Sequence, residues 1–220
     1  MCSSDLPDKH TKTLKAAGLT VFHVVPSLKA ALKAVDAGVD GLVVEGSEGA
    51  GFKNPRDVTS MVLLPLVASK VDVPIISAGG ISDGRSMAAA FSLGAEGVQM
   101  GTRMVATVES PVHQNMKQAV VDAEETSTMM INQHAGRPVR VLRTESTAPF
   151  ELSNEGNPMA LLPLTLDMYR HGDLDNGLPQ LGQVAGRIEA IEPVATIISR
   201  TVDEFAAALG GLATQYLRND

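Results

Sequence analysis

Between about residues 9 and 105 the chain repeats one pattern: a helical stretch closed by glycine, then a short run of β-branched and aliphatic residues. The runs are predominantly apolar, without the regular polar alternation of a strand with one wet face. Such strands are buried on both sides, which requires a parallel sheet with the intervening helices as crossovers. Residues 11–17 read as a helix stopped by Gly18 and followed by a strand over 19–25. Pro26 and Ser27 cap a helix over 28–35 that closes before Gly38, and 41–44 is the second strand. A helix over 58–70 leads into the strand 73–77, broken at Gly79-Gly80, and a helix over 85–93, stopped by Gly94, leads into 97–100. Glycine at helix ends supplies the left-handed conformation that terminates the hydrogen-bond ladder.

The unit spacing suits a (β/α) barrel, and four strands are half of the eight that close one. Beyond about residue 109 the pattern turns mainly helical, with helices expected over 109–125, 158–170, 182–191 and 202–217, a basic loop or extended segment over 136–144, and a linker over 153–158. Met129-Met130-Ile131 reads as core or the underside of a lid. The expected organisation is an unrelated, non-native or disordered start over 1–8, a partial barrel over 9–125 and a mainly helical tail over 126–220 that packs on it. Aromatics are 3% of the chain and Trp is absent, so the core is built from aliphatic and small side chains.

The formal charge of −7 argues against adhesion to nucleic acid or anionic lipid, which need a basic surface. Any anion must therefore be gripped locally. One cysteine, Cys2, excludes an intramolecular disulfide and suits a reducing compartment. No apolar run approaches the roughly 20 residues of a membrane helix, so the expected location is the cytoplasm. No His, Cys, Asp or Glu cluster has metal-ligand spacing, and no nucleophile elbow is present.

Two constellations carry chemistry. Ser77-Ala78-Gly79-Gly80-Ile81 and Met100-Gly101-Thr102-Arg103 stand at the C-terminal ends of consecutive strands. Glycines let backbone N–H groups approach an anion, a following helix adds its positive end, and barrel loops after the last strands hold phosphates this way. Thr102 adds a hydroxyl donor. Asp83 reads as the cap of the next helix, whereas Arg103 either pairs with a carboxylate or lies near the phosphate. The second constellation is the glycine-rich loop over 45–56, in which Gly49 and Gly51 let the backbone pass beside a planar cofactor, Glu45 can accept a hydrogen bond from it, and Lys53 or Arg56 can face an acidic group. His23, within the first strand, points to the barrel mouth or its interior. His113 reads as a helix-start residue at the surface, and His134 and His171 as non-ligands.

A resemblance becomes specific at three segments: Gly38-Val39-Asp40-Gly41-Leu42-Val43-Val44-Glu45-Gly46, then Pro74-Ile75-Ile76-Ser77-Ala78-Gly79-Gly80-Ile81-Ser82-Asp83-Gly84-Arg85, then residues 88–103 ending in Gly97-Val98-Gln99-Met100-Gly101-Thr102-Arg103. From about residue 9 to about 150 the chain resembles the nitronate monooxygenase (2-nitropropane dioxygenase) family of FMN-dependent TIM barrels, relatives of the flavin-dependent enoyl-acyl carrier protein reductases. The resemblance implies an α/β fold, the C-terminal half of a (β/α)8 TIM barrel followed by a mainly helical tail, in an N-terminally truncated member. It implies FMN, its phosphate held around Ser77, Gly79, Gly80, Gly101 and Thr102, with Glu45, Gly49 and Gly51 near the flavin. It also implies a small-molecule substrate, an alkyl nitronate oxidised with oxygen, or NAD(P)H-driven reduction of an enoyl thioester or quinone. An inactive FMN-binding fragment is the remaining alternative. Many members carry a His after the loop glycines; Phe52 stands there in this chain, so no catalytic base is assigned.

Overall fold

The computed structural model describes residues 7–153 and 155–217. Residues 1–6 of the expected unrelated start, Cys2 among them, lie outside the described residues, as does Asn154 in the expected linker. The chain opens on α1 (Pro7–Ala16), β1 (Phe22–Val25), α2 (Leu28–Asp36) and β2 (Gly41–Glu45). A two-residue strand β3 (Gly51–Phe52) precedes α3 (Ser60–Ala68), β4 (Ile75–Ala78), α4 (Gly84–Ser92) and β5 (Gly97–Gln99). β1, β2, β4 and β5 form one parallel sheet in that spatial order, the C-terminal half of a (β/α)8 barrel. Gly18, Gly38 and Gly94 end their helices with φ of +75°, +89° and +101°.

Register divides the sheet into two faces. The row His23, Leu42, Ile75 and the row Val25, Val44, Ser77 point the same way. Leu42, Val44 and Ile75 join Ala31, Ala34, Leu63, Leu64 and Val67 in the main core, so this face packs on the helices. His23 shares that face and is buried there; it reaches neither the barrel mouth nor its interior. The two-residue period also carries Ser77 to the helix side, 1% exposed. The opposite row, Val24, Val43, Ile76 and Gly97, lines the inner face of the half barrel.

The tail is mainly helical but also contains an antiparallel hairpin. After α5 (Thr102–Val105) and α6 (Gln114–Val121) come β6 (Thr128–Ile131) and β7 (Val139–Leu142). Met129-Met130-Ile131, read from sequence as core or the underside of a lid, is a strand with Met129 and Ile131 in a buried core, and β7 pairs with both β6 and β3. The helix expected over 109–125 shrinks to α6, whose cap is His113 accepting from Asn115 N–H. The one expected over 182–191 is a 3-10 turn at Gln183–Arg187. Residues 158–170 split into a 3-10 segment, Pro158–Leu164, and α7 (Thr165–His171). The last helix, α8 (Val194–Tyr216), starts eight residues before the expected position, where Val194 N–H donates to the Glu109 carboxylate and Ile197 is buried, and further along it packs on α4. Gly84 makes that packing possible: a Cβ there would stand 2.2 Å from Phe205 N and 2.4 Å from Thr201 O. Beyond it, Phe91 and Phe205 meet edge to face at 4.9 Å. No helix among the described residues is long and apolar enough to cross a membrane.

Candidate functional site

The C-terminal edge of the parallel sheet carries a small cavity of about 50 Å³, lined chiefly by Glu45, Glu48, Gly49, Gly79, Gly80, Gly101, Thr102 and Gly182. Three regions far apart in sequence build it. The strand ends supply Glu45, Gly79-Gly80 and Gly101-Thr102, the loop after β2 supplies Glu48, Gly49 and Ala50, and the tail supplies Gly182 and Val184.

Gly79 and Gly80 adopt φ of +90° and +77°, a turn that any side chain would strain. A Cβ at Gly79 would also stand 3.2 Å from both Gly46 O and Gly49 N, so the loop after β2 closes directly over this turn. The amides of Gly79, Gly80, Gly101 and Thr102 meet no acceptor among the described residues. Unpaired N–H groups in the wall of a concave pocket are the backbone chemistry that can bind an anion. The Thr102 hydroxyl accepts from Gly182 N–H at 2.9 Å, which leaves its own proton to donate.

The first amides of the helix after Gly80 are already engaged. α4 starts at Gly84, and its first turn is closed by a capping box between Asp83 and Ser86. Gly84 N–H in turn donates to Glu204 at 3.0 Å. Asp83 is therefore the helix cap expected from sequence, and it also pairs with Arg187. The N-terminus of α3 is likewise occupied, because Glu48 accepts from Ser60 N–H at 3.0 Å and from its hydroxyl at 2.8 Å.

The loop after β2 is held from both sides. Arg140, buried in β7, donates from Nε to Ser47 O at 2.8 Å. Burial pushes its guanidinium below the ordinary arginine range, against the opposing pull of Asp57 and Glu48. β3 pairs with β7, Lys53 N–H donates to Pro138 O at 2.9 Å, and Gln183 N–H donates to Glu48 O at 2.9 Å. Within the loop, Lys53 Nζ lies 2.8 Å from Glu45 Oε1 with the lysine side chain only 3% exposed.

Six of the eight candidates read from sequence line this one cavity: Glu45, Gly49, Gly79, Gly80, Gly101 and Thr102. Ser77 does not, since its hydroxyl is turned into the helix layer and finds no partner among the described residues. Gly51 does not either. It pairs with Arg140 across β3 and β7, and a Cβ there would meet Gln180 Oε1 at 2.7 Å, so its missing side chain makes room for the tail. Of the two roles open to Arg103, the ion pair is the one observed: it donates to Ala190 O at 3.0 and 3.1 Å and reaches Glu192 at 3.2 Å. Gly182 and Val184 were not legible as site residues, because they lie some eighty positions from Thr102 in a segment read as helix.

Residues 2–204 match the nitronate monooxygenase family profile. Among curated relatives, the (3aS,4S,5R,7aS)-5-hydroxy-7a-methyl-1-oxo-octahydro-1H-indene-4-carboxyl-CoA dehydrogenase of Rhodococcus jostii is 40% identical over 149 residues, 68% of this chain and 41% of that protein. A probable nitronate monooxygenase of Staphylococcus haemolyticus is 35% identical over 150 residues, 64% of this chain and 42% of the relative. The structure of FabK from Thermotoga maritima superimposes with a TM-score of 0.89 at 40% identity, covering 94% of this chain and 68% of that one. The chain thus matches about two fifths of the length of these curated relatives. With the profile spanning almost its whole length, it belongs to the nitronate monooxygenase family.

Proposed function

We propose that the chain carries the phosphate grip of an FMN-dependent oxidoreductase that oxidises alkyl nitronates with oxygen. The observation behind this reading is the set of unpaired amides at Gly79, Gly80, Gly101 and Thr102 around a cavity of about 50 Å³. That volume suits a phosphate group. Pockets enclosing a whole drug-sized ligand reach roughly 300–1,000 Å³, so the flavin ring would lie outside this cavity. Glu45 and Gly49, on the wall formed by the loop after β2, are the residues we place toward the ring. When bound, FMN supplies the electron transfer to oxygen. The chain's own part is to bind the phosphate and to fix the loops beside it. A nitronate is already deprotonated, so Phe52, which moves no proton, is compatible with its oxidation, whereas a neutral nitroalkane needs a base.

Quenching of flavin fluorescence on addition of FMN to the purified chain tests the cofactor, and nitronate-dependent oxygen uptake without nicotinamide tests the activity. Absence of FMN binding would sink the reading. A second reading, an NAD(P)H-dependent reductase of an enoyl thioester, draws support from the 40% identity to a relative named for a carboxyl-CoA compound. Anaerobic bleaching of the flavin by NAD(P)H, without nitronate turnover, would favour it. FMN bound with neither activity would mark a binding fragment.

A further inference from the structure

The cavity that is suited to an anion contains no lysine or arginine among its lining residues, but it does contain two carboxylates, Glu45 and Glu48. Each has a separate compensation. Glu48 is spent on the first amide of α3 and the hydroxyl of Ser60. Glu45 is at the C-terminal end of β2 on the inner face, 23% exposed, and its counter-charge is Lys53 at 2.8 Å. The loop is shaped around this pair: a Cβ at Gly49 would stand 2.7 Å from Glu45 Oε1 and 2.9 Å from Lys53 Nζ. The Lys53 ammonium is deeply buried and off hydrogen-bond angle to Glu45, so the contact is electrostatic and donors remain unspent.

We infer that Lys53 is a specificity-determining residue of this cavity: by cancelling the Glu45 charge it lets the unpaired amides accept a dianion such as the phosphate of a nucleotide. The inference rests on the anion-binding reading above and adds a residue outside the cavity lining. Removing the lysine leaves a bare carboxylate on the wall of a site meant for a dianion. One uncompensated charge at such short range is expected to weaken anion binding by about tenfold or more.

The test measures binding of inorganic phosphate by calorimetry and of FMN by fluorescence, on the full chain and its variants, with unfolding curves as the check on folding. Lys53→Met is expected to weaken both ligands at least tenfold, and Lys53→Arg, which keeps the charge, to stay near the unmodified protein. Adding Glu45→Gln to Lys53→Met restores phosphate binding. Glu45→Gln alone, which leaves the lysine charge unopposed, binds phosphate at least as tightly as the unmodified protein and carries the test if Lys53→Met does not fold. Lys53→Met indistinguishable from the unmodified protein, or Glu45→Gln weaker for phosphate, overturns the inference while leaving the FMN reading in place. Phosphate binding that depends on Lys53 without any FMN binding overturns the FMN reading and supports the inference. Failure of the unmodified protein to bind either anion overturns both.

Discussion

Gly182 is where the tail is fastened to the cavity, and Gly182→Ala measures how tightly. The added methyl would lie 2.8 Å from Glu48 O, 3.2 Å from Thr102 Oγ1 and 3.4 Å from Ala50 N. The first of these is shorter than any normal contact and is made to backbone, which cannot swing away as a side chain can. Overpacking a close-fitted site costs roughly 1–3 kcal/mol. The shift that relieves it also endangers the Gly182 to Thr102 and Gln183 to Glu48 hydrogen bonds, both 2.9 Å, at about 1 kcal/mol each. With both hydrogen bonds lost the total is about 3–5 kcal/mol, a melting point lower by on the order of 6–20 °C for a chain of this size. Thermal unfolding followed by circular dichroism reads this directly. Gly101→Ala is the control, since a Cβ there meets nothing within 4 Å. Should Gly182→Ala melt within a degree of the unmodified protein, the tail does not press on the cavity as described.

Gly84→Ala forces a methyl into the backbone of α8 at Phe205 N and Thr201 O, and is expected to lower stability by about 3 kcal/mol or more, read as a lost thermal transition or as proteolysis entering at α8. Acid titration tests the Glu192 cluster. Its carboxyl is held below the ordinary value of 4.5 first by hydrogen bonding to Arg200 and further by the charge of Arg103, against the effect of burial. A depressed folded-state pKa contributes stability that is fully present above the unfolded value and is lost as pH falls through the folded one. The melting-point gap between the unmodified protein and Glu192→Gln is therefore expected to be open at pH 6 and to close as pH falls from about 4.5 downward; a gap independent of pH would remove the ion pair from the stability account.

The parallel half of the fold was legible because its signals are local. Gly18, Gly38 and Gly94 mark helix ends in the sequence and do so in space, and the short apolar, β-branched runs at 41–44 and 73–76, flanked by glycine or proline signals, read as buried strands and are strands. The segment 136–144 read as loop or extended and holds β7, but its pairing with β6 was not legible, because Met129-Met130-Ile131 has no alternation and β7 contains Arg140, whose burial depends on Ser47 some ninety residues away. Residues 194–198 fail as helix by preference, and their start is held by Glu109, 85 residues earlier, and by the burial of Ile197. Within the site, the glycine turns were visible as motifs. The facing of Ser77 was a question of strand register that a motif cannot answer, and Gly182 is a site residue only because the chain returns.

The phosphate site proposed above belongs to a chain of net charge −7, so local arrangement has to outweigh the overall charge. Exposed carboxylates distant from the cavity are screened within about 10 Å at ordinary ionic strength, so they hardly reach it. Backbone amides in the wall are not screened in this way and carry no side-chain entropy, and the positive φ of Gly79 and Gly80 fixes the turn that presents them. The two charges that would matter, Glu45 and Glu48, are tied respectively to Lys53 and to the α3 terminus. The strand ends fix the donors, whereas the loop and tail hold those charges in their compensated positions. That division places changes of anion affinity as much in the loop and tail as in the glycine turns themselves.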